Sequence, residues 1–333
     1  MLGRLLEGQS LARAEAAALM RSLTEGAATD AQLGGLLVAL RMRGETPELM
    51  AGFAEVMRER AVRVPTARRP LLDTCGTGGD GSASLNISTA AALTAAACGV
   101  AVAKHGNRSV SSRCGSADVL EALGVKLALP PAAVGRCVDE VGIGFLFAPA
   151  LHPAMKHVAP ARRELGVRTV FNLLGPLTNP AGADRQLLGA FSEWAATLLA
   201  GALAQLGAEL AWVVHGHGGM DELTTTGPSR VLVVRAGEIV ETRVDPAALG
   251  LAPTPDGALR GGDAAENAAR MRRILSGRPD PATDTVALNA AAALVVGGAA
   301  KELPEALARA REALAAGLPG RRLDELAALT RLL

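Results

Sequence analysis

Apolar residues recur at helical spacing through the first 60 residues of the chain. Three segments place apolar side chains three and four positions apart, as one face of an amphipathic helix requires: 10–26, 29–45 and 46–61. Ser10 is a candidate N-cap for the first helix, Gly26 ends it, and a Thr-Pro pair opens the third. The pattern predicts a small all-helical N-terminal domain over residues 1–65, and a Pro/Arg-rich connector follows at 62–70.

Beyond the connector, short apolar segments alternate with helical ones. The pattern predicts strands at 71–72, 99–106, 125–129, 143–149, 185–192 and 209–216, and a hairpin over 229–243 around Ala236-Gly237. Helices are expected between the strands, and the last 90 residues are expected to be mainly helical. This order predicts a larger α/β domain over residues 70–333, with a mainly parallel central sheet flanked by helices. Only the interval 152–180 breaks the rhythm, with mixed helical and loop signals.

Composition narrows the class of protein. The 333 residues carry 34 basic and 33 acidic side chains, a net charge of +1, which gives no reason to expect nucleic acid or an acidic membrane as a partner. The four cysteines have no zinc-ligand spacing. The N-terminus has no continuous apolar core of a signal peptide, and the apolar stretches 90–103 and 286–300 are too short to span a bilayer. We therefore expect a cytoplasmic protein without a membrane segment.

A glycine-rich loop follows the first predicted strand, in the stretch "DTCGTGGDGSASLNIST" at 73–89. It lacks the Lys-Ser/Thr of a P-loop, and its glycine spacing is not the dinucleotide fingerprint. Glycines let backbone amides approach an anion, and Asn86, Ser88 and Thr89 stand at the start of a helix, where phosphate is favoured. The alternative is a plain glycine turn with an ordinary helix cap. Asp80 and the nearby hydroxyls favour a ligand site.

Cations crowd the end of the second predicted strand, in "KHGNRSVSSRCGSAD" at 104–118. Lys104, Arg108 and Arg113 have the charge to neutralise a phosphate, although a solvated polar loop is the simpler alternative.

Two further clusters follow later strands. His152 precedes a proline at a helix start, and Arg162, Arg163 and Arg168 follow it, either as a binding group or as an exposed helical face. Asp221 and Glu222 are adjacent in a glycine-rich loop; opposite a diphosphate they would hold Mg²⁺, although adjacent acids are usually only solvated. Because ligands of open α/β sheets bind beyond the carboxyl ends of the strands, we expect all four clusters to share one crevice.

The ordered motifs carry a resemblance to a known family. They are "GTGGD", "NIST", "KHGNR-x-V-S-S-R-C-G-S-A-D", "HPAMK", "RTVFNLLGPLTNP" and the acidic pair "DE". From about residue 5 to the C-terminus the chain resembles the anthranilate phosphoribosyltransferases. Pyrimidine nucleoside phosphorylases of the same fold share a GTGG-type loop but have Lys-x-Ser-x-Arg where this chain has "KHGNR". A nucleic-acid-binding relative without transferase activity is the other alternative.

The resemblance implies transfer of the phosphoribosyl group of phosphoribosyl diphosphate to the amine of anthranilate, in tryptophan biosynthesis. It implies that phosphoribosyl diphosphate is bound by Gly76, Gly79, Asp80, Ser84, Asn86, Ile87, Ser88, Thr89, Lys104, Asn107, Arg108, Ser111, Ser112 and Ser116. Many relatives have threonine where this chain has Ser84, which keeps the hydroxyl. For anthranilate it implies Gly76, Asn107 and Arg162, with His105, His152, Gly175 and Pro176 along the approach path.

The resemblance also implies cofactors and assembly. Two Mg²⁺ ions are expected, with Ser88, Asp221 and Glu222 as ligands. No residue is expected to act as a chemical catalyst beyond positioning and electrostatics, because the amine of anthranilate is already neutral. The small domain is expected to include part of 155–185 and to form a homodimer. Leu33, Leu36, Leu37 and Leu40 would then serve that interface or belong to the core of the domain.

Overall fold

The computed structural model describes residues 1–109 and 113–333. The strands are β1 (Leu72–Gly76), β2 (Val102–Gly106), β3 (Ile143–Phe147), β4 (Arg185–Gly189), β5 (Leu210–His215), β6 (Ser229–Arg235) and β7 (Glu238–Val244). The helices of the first half are α1 (Leu2–Leu6), α2 (Arg13–Thr24), α3 (Asp30–Arg43), α4 (Pro47–Arg60), α5 (Ile87–Ala97), α6 (Ser116–Ala122) and α7 (Pro131–Val141). The remaining helices are α8 (Ala148–Leu151), α9 (Ala159–Leu165), α10 (Phe171–Leu174), α11 (Glu193–Gln205), α12 (Ala264–Leu275), α13 (Thr283–Gly297), α14 (Leu303–Ala315) and α15 (Leu318–Leu332). Short 3₁₀ turns cover Pro153–His157, Gly175–Leu177, His217–Gly219 and Ala247–Leu249.

The N-terminal helices begin at side-chain caps where the sequence offers them. Thr29 accepts a hydrogen bond from Gln32 N at 3.3 Å and Thr46 from Leu49 N at 3.2 Å, so α3 and α4 start where the pattern predicts. The predicted Ser10 cap is wrong. The helix begins at Arg13, because the Glu15 carboxylate accepts from Ala12 N at 3.0 Å and closes the first turn without Ser10.

The central sheet has seven strands in the order β3-β2-β1-β4-β5-β6-β7. The first five strands pair in parallel, and β6 pairs antiparallel with both β5 and β7, which confirms the predicted mainly parallel sheet flanked by helices. The hairpin is also confirmed: Ala236 and Gly237 both have positive φ, +50° and +84°, as a two-residue type I′ turn requires.

The strand predicted at 125–129 is wrong. Val125 and Leu127 are buried while Lys126 and Ala128 are exposed, so the segment has the alternation of a strand. It lies against a helix instead of a neighbouring strand, because Lys126 N donates to the hydroxyl of Thr330 in α15 at 3.1 Å. Alternation shows that a segment is extended but does not supply a strand partner.

Apolar side chains cover both faces of the sheet. On one face, α5 and the C-terminal helices form the larger core. On the other, α11 packs together with α2, α3, α4 and residues 158–177. Leu33, Leu36, Leu37 and Leu40 are at most 4% exposed and belong to this second core, so of the two interpretations of these leucines the structure supports the internal one. In the part of the chain that the structure describes, no helix is long and apolar enough to cross a membrane.

Candidate active site at the carboxyl ends of the strands

The glycine loop after β1 lies directly against the acidic pair that follows β5. Gly78 N donates to Asp221 Oδ2 at 2.8 Å, and a Cβ on Gly76 would come within 2.5 Å of the same oxygen. Gly78 and Gly79 have φ of +63° and +72°, which L residues rarely adopt. The loop therefore needs glycine at Gly76 for space and at Gly78 and Gly79 for backbone conformation.

Three carboxylates meet beside this loop. Asp80, Asp221 and Glu222 each offer an oxygen, and these oxygens lie within 4.8 Å of one another. Burial raises the pKa of Asp221 and of Glu222, and repulsion within the cluster raises both further. Such a group of buried like charges is stable in its ionised form when a cation is bound.

The donor set fits a hard divalent cation. Glu222 Oε2 is buried and has no hydrogen-bond partner among the residues described. A cavity of about 20 Å³ lies beside it, lined by Thr74, Ser88, Asp221 and Glu222 among others, which is room for one water-sized particle. Carboxylate and hydroxyl oxygens are the ligands that Mg²⁺ takes, so the predicted metal residues Ser88, Asp221 and Glu222 are brought together, and Asp80 joins them.

The ammonium group of Lys104 is a buried positive charge beside the acidic cluster. Lys104 is 2% exposed, and its Nζ donates to the carbonyl oxygen of Thr74 and to Ser88 Oγ, the latter at 3.3 Å. Burial lowers the pKa of Lys104, while the negative charge of Asp73 opposes that shift. The Ser88 backbone also lies beside the Glu222 carboxylate, so Ser88 connects the lysine to the acidic cluster.

Asp73 is a further residue of this crevice, which the sequence motifs did not predict. It is fully buried in β1, where Oδ1 accepts from His105 N at 3.0 Å and Oδ2 from Asn179 Nδ2 at 2.8 Å. Burial raises its pKa to about 6. The available signal was a carboxylate directly after the apolar pair Leu71-Leu72 of a predicted strand, since a buried acid needs a structural partner.

Two imidazoles form a buried pair at the other side of the crevice. The Nε2 atoms of His105 and His152 lie 3.2 Å apart, and Gly175 lies beside the His105 ring. In this pair one Nε2 carries the proton and the other accepts it. Burial lowers the pKa of His105 to about 3 and of His152 to about 4, so both rings are neutral at pH 7. Gly175 is exposed and Pro176 buried beside this pair.

Arg162, on α9, is a half-buried cation beside an aromatic ring. Its guanidinium lies 5.2 Å from the centre of the Phe171 ring, and burial lowers its pKa. Within residues 1–109 and 113–333, no acceptor forms a hydrogen bond with this guanidinium. An arginine in this setting is suited to a carboxylate ligand.

In the loop after β2, some of the predicted ligand residues contact α6. Arg108 pairs with Asp118 and Glu121 of α6, at 2.9 Å each, so its charge is already balanced there. Asn107 O accepts from Ser116 Oγ at 3.3 Å, and the Asn107 side chain is exposed. Ser111 and Ser112 lie outside the described residues.

Four other predicted residues lie along the glycine loop and the start of α5. Ile87 is fully buried, so only its backbone is available to a ligand, and Thr89 is 1% exposed. Ser84 forms a β-bridge with Arg260, and the Asn86 amide contacts Cys114 and Asn267.

Arg168 contacts the glycine loop. From the sequence it was either part of a binding group or part of an exposed helical face. It donates to the carbonyl oxygen of Gly79, and its guanidinium lies 4.6 Å from the centre of the Phe191 ring. It therefore links the 159–174 segment to the loop.

Both parts of the chain match domains of a known protein family. The helical bundle domain of the glycosyl transferase family matches residues 1–61, and the a/b domain of that family matches residues 68–319. An anthranilate phosphoribosyltransferase of Bradyrhizobium sp. (strain BTAi1) is 52% identical over 330 residues, which cover 99% of this chain and 98% of the relative.

Solved structures agree with these matches. The crystal structure of anthranilate phosphoribosyltransferase from Thermus thermophilus is similar with a TM-score of 0.93 at 51% identity, covering 99% of each chain. The Saccharomyces cerevisiae anthranilate phosphoribosyltransferase is similar with a TM-score of 0.89, covering 100% of this chain and 97% of its own. It has been solved with PRPP and Mg, at 26% identity, and with 4-fluoroanthranilate, at 25%.

Proposed function

The chain belongs to the anthranilate phosphoribosyltransferases of the glycosyl transferase family, and from that premise we infer that it transfers the phosphoribosyl group of phosphoribosyl diphosphate to the amine of anthranilate. The products are N-(5′-phosphoribosyl)anthranilate and diphosphate, a step of tryptophan biosynthesis. The observation that carries this proposal is the direct contact between the glycine loop and the acidic cluster, through Gly78 N and Asp221. That contact unites a loop suited to phosphate with a group suited to a cation.

Phosphoribosyl diphosphate is assigned to the crevice between the glycine loop, the start of α5 and Lys104. Asp221 and Glu222, with Asp80 and Ser88 beside them, would hold Mg²⁺, and we propose two ions by family resemblance. Bound Mg²⁺ supplies positive charge that stabilises diphosphate as a leaving group. Lys104 contributes a further positive charge from a buried position, where electrostatic interactions are strong.

Anthranilate is assigned to the side of the crevice formed by Arg162 and the paired imidazoles. The guanidinium of Arg162 suits the carboxylate, and the neutral rings of His105 and His152 suit an aromatic ring. Because the amine of anthranilate is neutral at pH 7, its lone pair is available without a strong base. The remaining task is alignment of the amine with the anomeric carbon, which fixed positions of both substrates provide.

We also propose a homodimer through the helical domain and a cytoplasmic location. The dimer proposal is supported by exposed apolar side chains on α1, α3 and α11: Leu6, Val38, Met42 and Trp194. Arg41 lies 5.7 Å from the centre of the Trp194 ring, so α3 and α11 adjoin at this surface. A second copy of the chain is the partner that family resemblance favours. The cytoplasmic location is supported by the spacing of the four cysteines, which is not that of a disulfide-rich secreted domain.

The function is tested by the fluorescence of anthranilate. The signal should fall with time only when phosphoribosyl diphosphate and Mg²⁺ are both present, and EDTA should stop the reaction. A pyrimidine nucleoside with inorganic phosphate, the substrates of the alternative phosphorylase, should yield no free base. Loss of the signal without phosphoribosyl diphosphate, or no loss with all components, would contradict the proposal.

A further inference from the structure

Residues 257–263, between β7 and α12, cover the second half of the glycine loop; we call this segment the strap. Leu85 N donates to Leu259 O at 2.8 Å, and Gly261 N donates to Ala83 O at 2.8 Å. The strap therefore holds the loop through backbone hydrogen bonds on both sides of Ser84.

Asn267 of α12 connects the strap to Asn86 of the loop. It is 2% exposed; its Oδ1 accepts from Gly262 N at 2.7 Å, and its Nδ2 donates to Asn86 Oδ1 at 3.1 Å. Asn86 Nδ2 in turn donates to the carbonyl oxygen of Cys114 at 3.1 Å. Three hydrogen bonds thus run in series from the strap, across the glycine loop, to the second loop.

The two ends of this series determine how both amides are oriented. Gly262 N is a backbone amide and can only donate, so the atom of Asn267 that faces it must be the oxygen. The other atom of Asn267 is then a donor, and the atom of Asn86 that faces it must be an oxygen. Asn86 Nδ2 is left facing Cys114 O, which can only accept, so the series is consistent at both ends.

The orientation of Asn86 matters for an anionic ligand. An asparagine at a helix N-cap normally turns its oxygen to the first amides of its own helix, but Asn86 makes no such bond to α5. Nδ2 carries two hydrogens, and Cys114 O takes one of them. A donor group therefore lies between the glycine loop and the second loop, where a flipped amide would present an oxygen that repels phosphate.

The same helix holds the strap in place. One turn beyond Asn267, Arg270 donates to Ala258 O and, at 3.0 Å, to Arg260 O, and it pairs with Asp280 at 2.7 Å. Asn267 therefore acts from a fixed support.

We propose that Asn267 is a positioning residue for phosphoribosyl diphosphate, which turns the NH₂ group of Asn86 toward the ligand. The inference rests on the proposed function, because it takes Asn86 to contact phosphoribosyl diphosphate. It adds a residue that does not touch the substrate and lies 181 positions from the one it orients.

The test compares Asn267→Asp with Asn267→Ala. Aspartate keeps the acceptor for Gly262 N but places an oxygen against Asn86 Oδ1, so the Asn86 amide must flip. The Kd of phosphoribosyl diphosphate with Mg²⁺, measured by calorimetry, should rise about tenfold or more for Asn267→Asp. It should rise less for Asn267→Ala, and the KM for anthranilate should stay within about twofold in both. An unchanged Kd in both variants overturns the proposal.

A mutant cycle separates orientation from general stability. In an Asn86→Ala background, Asn267→Asp should change the Kd by less than about twofold, because its target is gone. If the Kd of the double variant rises by the product of the two single-variant increases, the proposal is overturned. Thr330→Val, which removes another buried hydrogen bond far from the site, is the control and should lower the Tm without changing the Kd. Binding is measured directly, so this test does not need the reaction itself. A wild-type protein that binds phosphoribosyl diphosphate but does not consume anthranilate would contradict the proposed function, while the Kd values would still decide the role of Asn267.

Discussion

Asp221 accepts a hydrogen bond from the backbone amide of Gly78, with 2.8 Å between N and Oδ2. This bond joins the loop after β1 to the loop after β5, although β4 lies between the two strands in the sheet. The Gly78 amide binds one oxygen of the Asp221 carboxylate. The carboxylate also lies close to Asp80 and Glu222, whose oxygens are within 4.8 Å of it. A change that neutralises Asp221 without shortening it preserves the link and removes the charge.

The double variant Asp221→Asn with Glu222→Gln should lose about a hundredfold or more of the turnover, because the cation loses two charged ligands. The fold should be retained, since the substitutions relieve repulsion between buried carboxylates whose pKa values are raised. Turnover at saturating Mg²⁺ and melting by circular dichroism check both points. The matched control is Asp324→Asn with Glu325→Gln, another adjacent acidic pair, exposed on α15, which should change neither. Wild-type turnover in the Asp221/Glu222 variant would exclude a metal role.

Arg162→Ala should raise the KM for anthranilate about ten- to hundredfold and the KM for phosphoribosyl diphosphate much less. The lost interaction is a charge-assisted hydrogen bond to a carboxylate, worth about 1.5–3 kcal/mol. Steady-state kinetics with each substrate varied in turn give the two constants. Arg163→Ala, an exposed neighbour on the same helix, is the control and should change neither constant. Equal increases for both substrates would place Arg162 outside the anthranilate site.

The free energy of unfolding should depend on pH through the buried histidines. In the folded protein the pKa of His105 is lowered to about 3 and that of His152 to about 4, against 6.5 when unfolded. Below pH 6.5 the unfolded chain binds protons that the folded chain does not. Stability is therefore full above pH 6.5 and falls as the pH drops toward 4, by up to about 1.4 kcal/mol per pH unit for each ring.

Asp73 acts in the opposite direction. Its pKa is raised from 3.8 to about 6, so the folded protein binds its proton first and gains stability as the pH falls from 6 to 4. The double variant His105→Gln with His152→Gln separates the two effects. Urea unfolding at pH 7, 6 and 5 should show a smaller acid-side loss in the variant than in the wild type. Equal losses would mean that the two rings are protonated in the folded state.

The proposed dimer surface gives a fourth prediction. Met42 is 83% exposed on α3, and a charge there should prevent a second copy from covering the surface. Met42→Glu should be a monomer by light scattering at concentrations where the wild type is a dimer, with a similar Tm. Leu332→Glu, at an 84% exposed position on α15, is the control and should stay dimeric. A monomeric wild type would contradict the proposed assembly.

Apart from the strand expected at 125–129, the order of helices and strands and the clustering of polar residues at one sheet edge were predictable from the sequence. Both follow from short-range signals, namely apolar periodicity and the rule that parallel strands end at the same edge. The roles of Asp73 and Asn267 were not, because each depends on a partner more than 100 positions away, Asn179 and Asn86. The pairing of Arg108 with α6 was missed for a different reason. The sequence around an arginine shows its charge but not which anion it faces, and here two carboxylates of the chain itself reach it.

Gly79 gives the last prediction, because two requirements coincide at this residue. Its φ of +72° is unfavourable for alanine, and a Cβ there would lie 2.7 Å from Arg168 Nη2. Gly78 and Gly81 have φ of +63° and +79°, and a Cβ on either would meet nothing within 4 Å. Alanine at these two positions therefore measures the backbone cost alone, about 1–2 kcal/mol of unfolding free energy each.

Gly79→Ala should cost about 1 kcal/mol more than that, since the flexible arginine must move away and its hydrogen bond to Gly79 O is lost. In an Arg168→Ala background the excess should vanish, and Gly79→Ala should then match Gly78→Ala. Urea unfolding of the four variants and the double variant measures these differences.

An excess that persists without Arg168 would mean that the methyl group disturbs the loop itself. If so, the Kd of phosphoribosyl diphosphate should rise for Gly79→Ala whichever residue is at position 168. If the excess vanishes, any rise in that Kd for Gly79→Ala should be shared by Arg168→Ala, because both then act through the same lost contact.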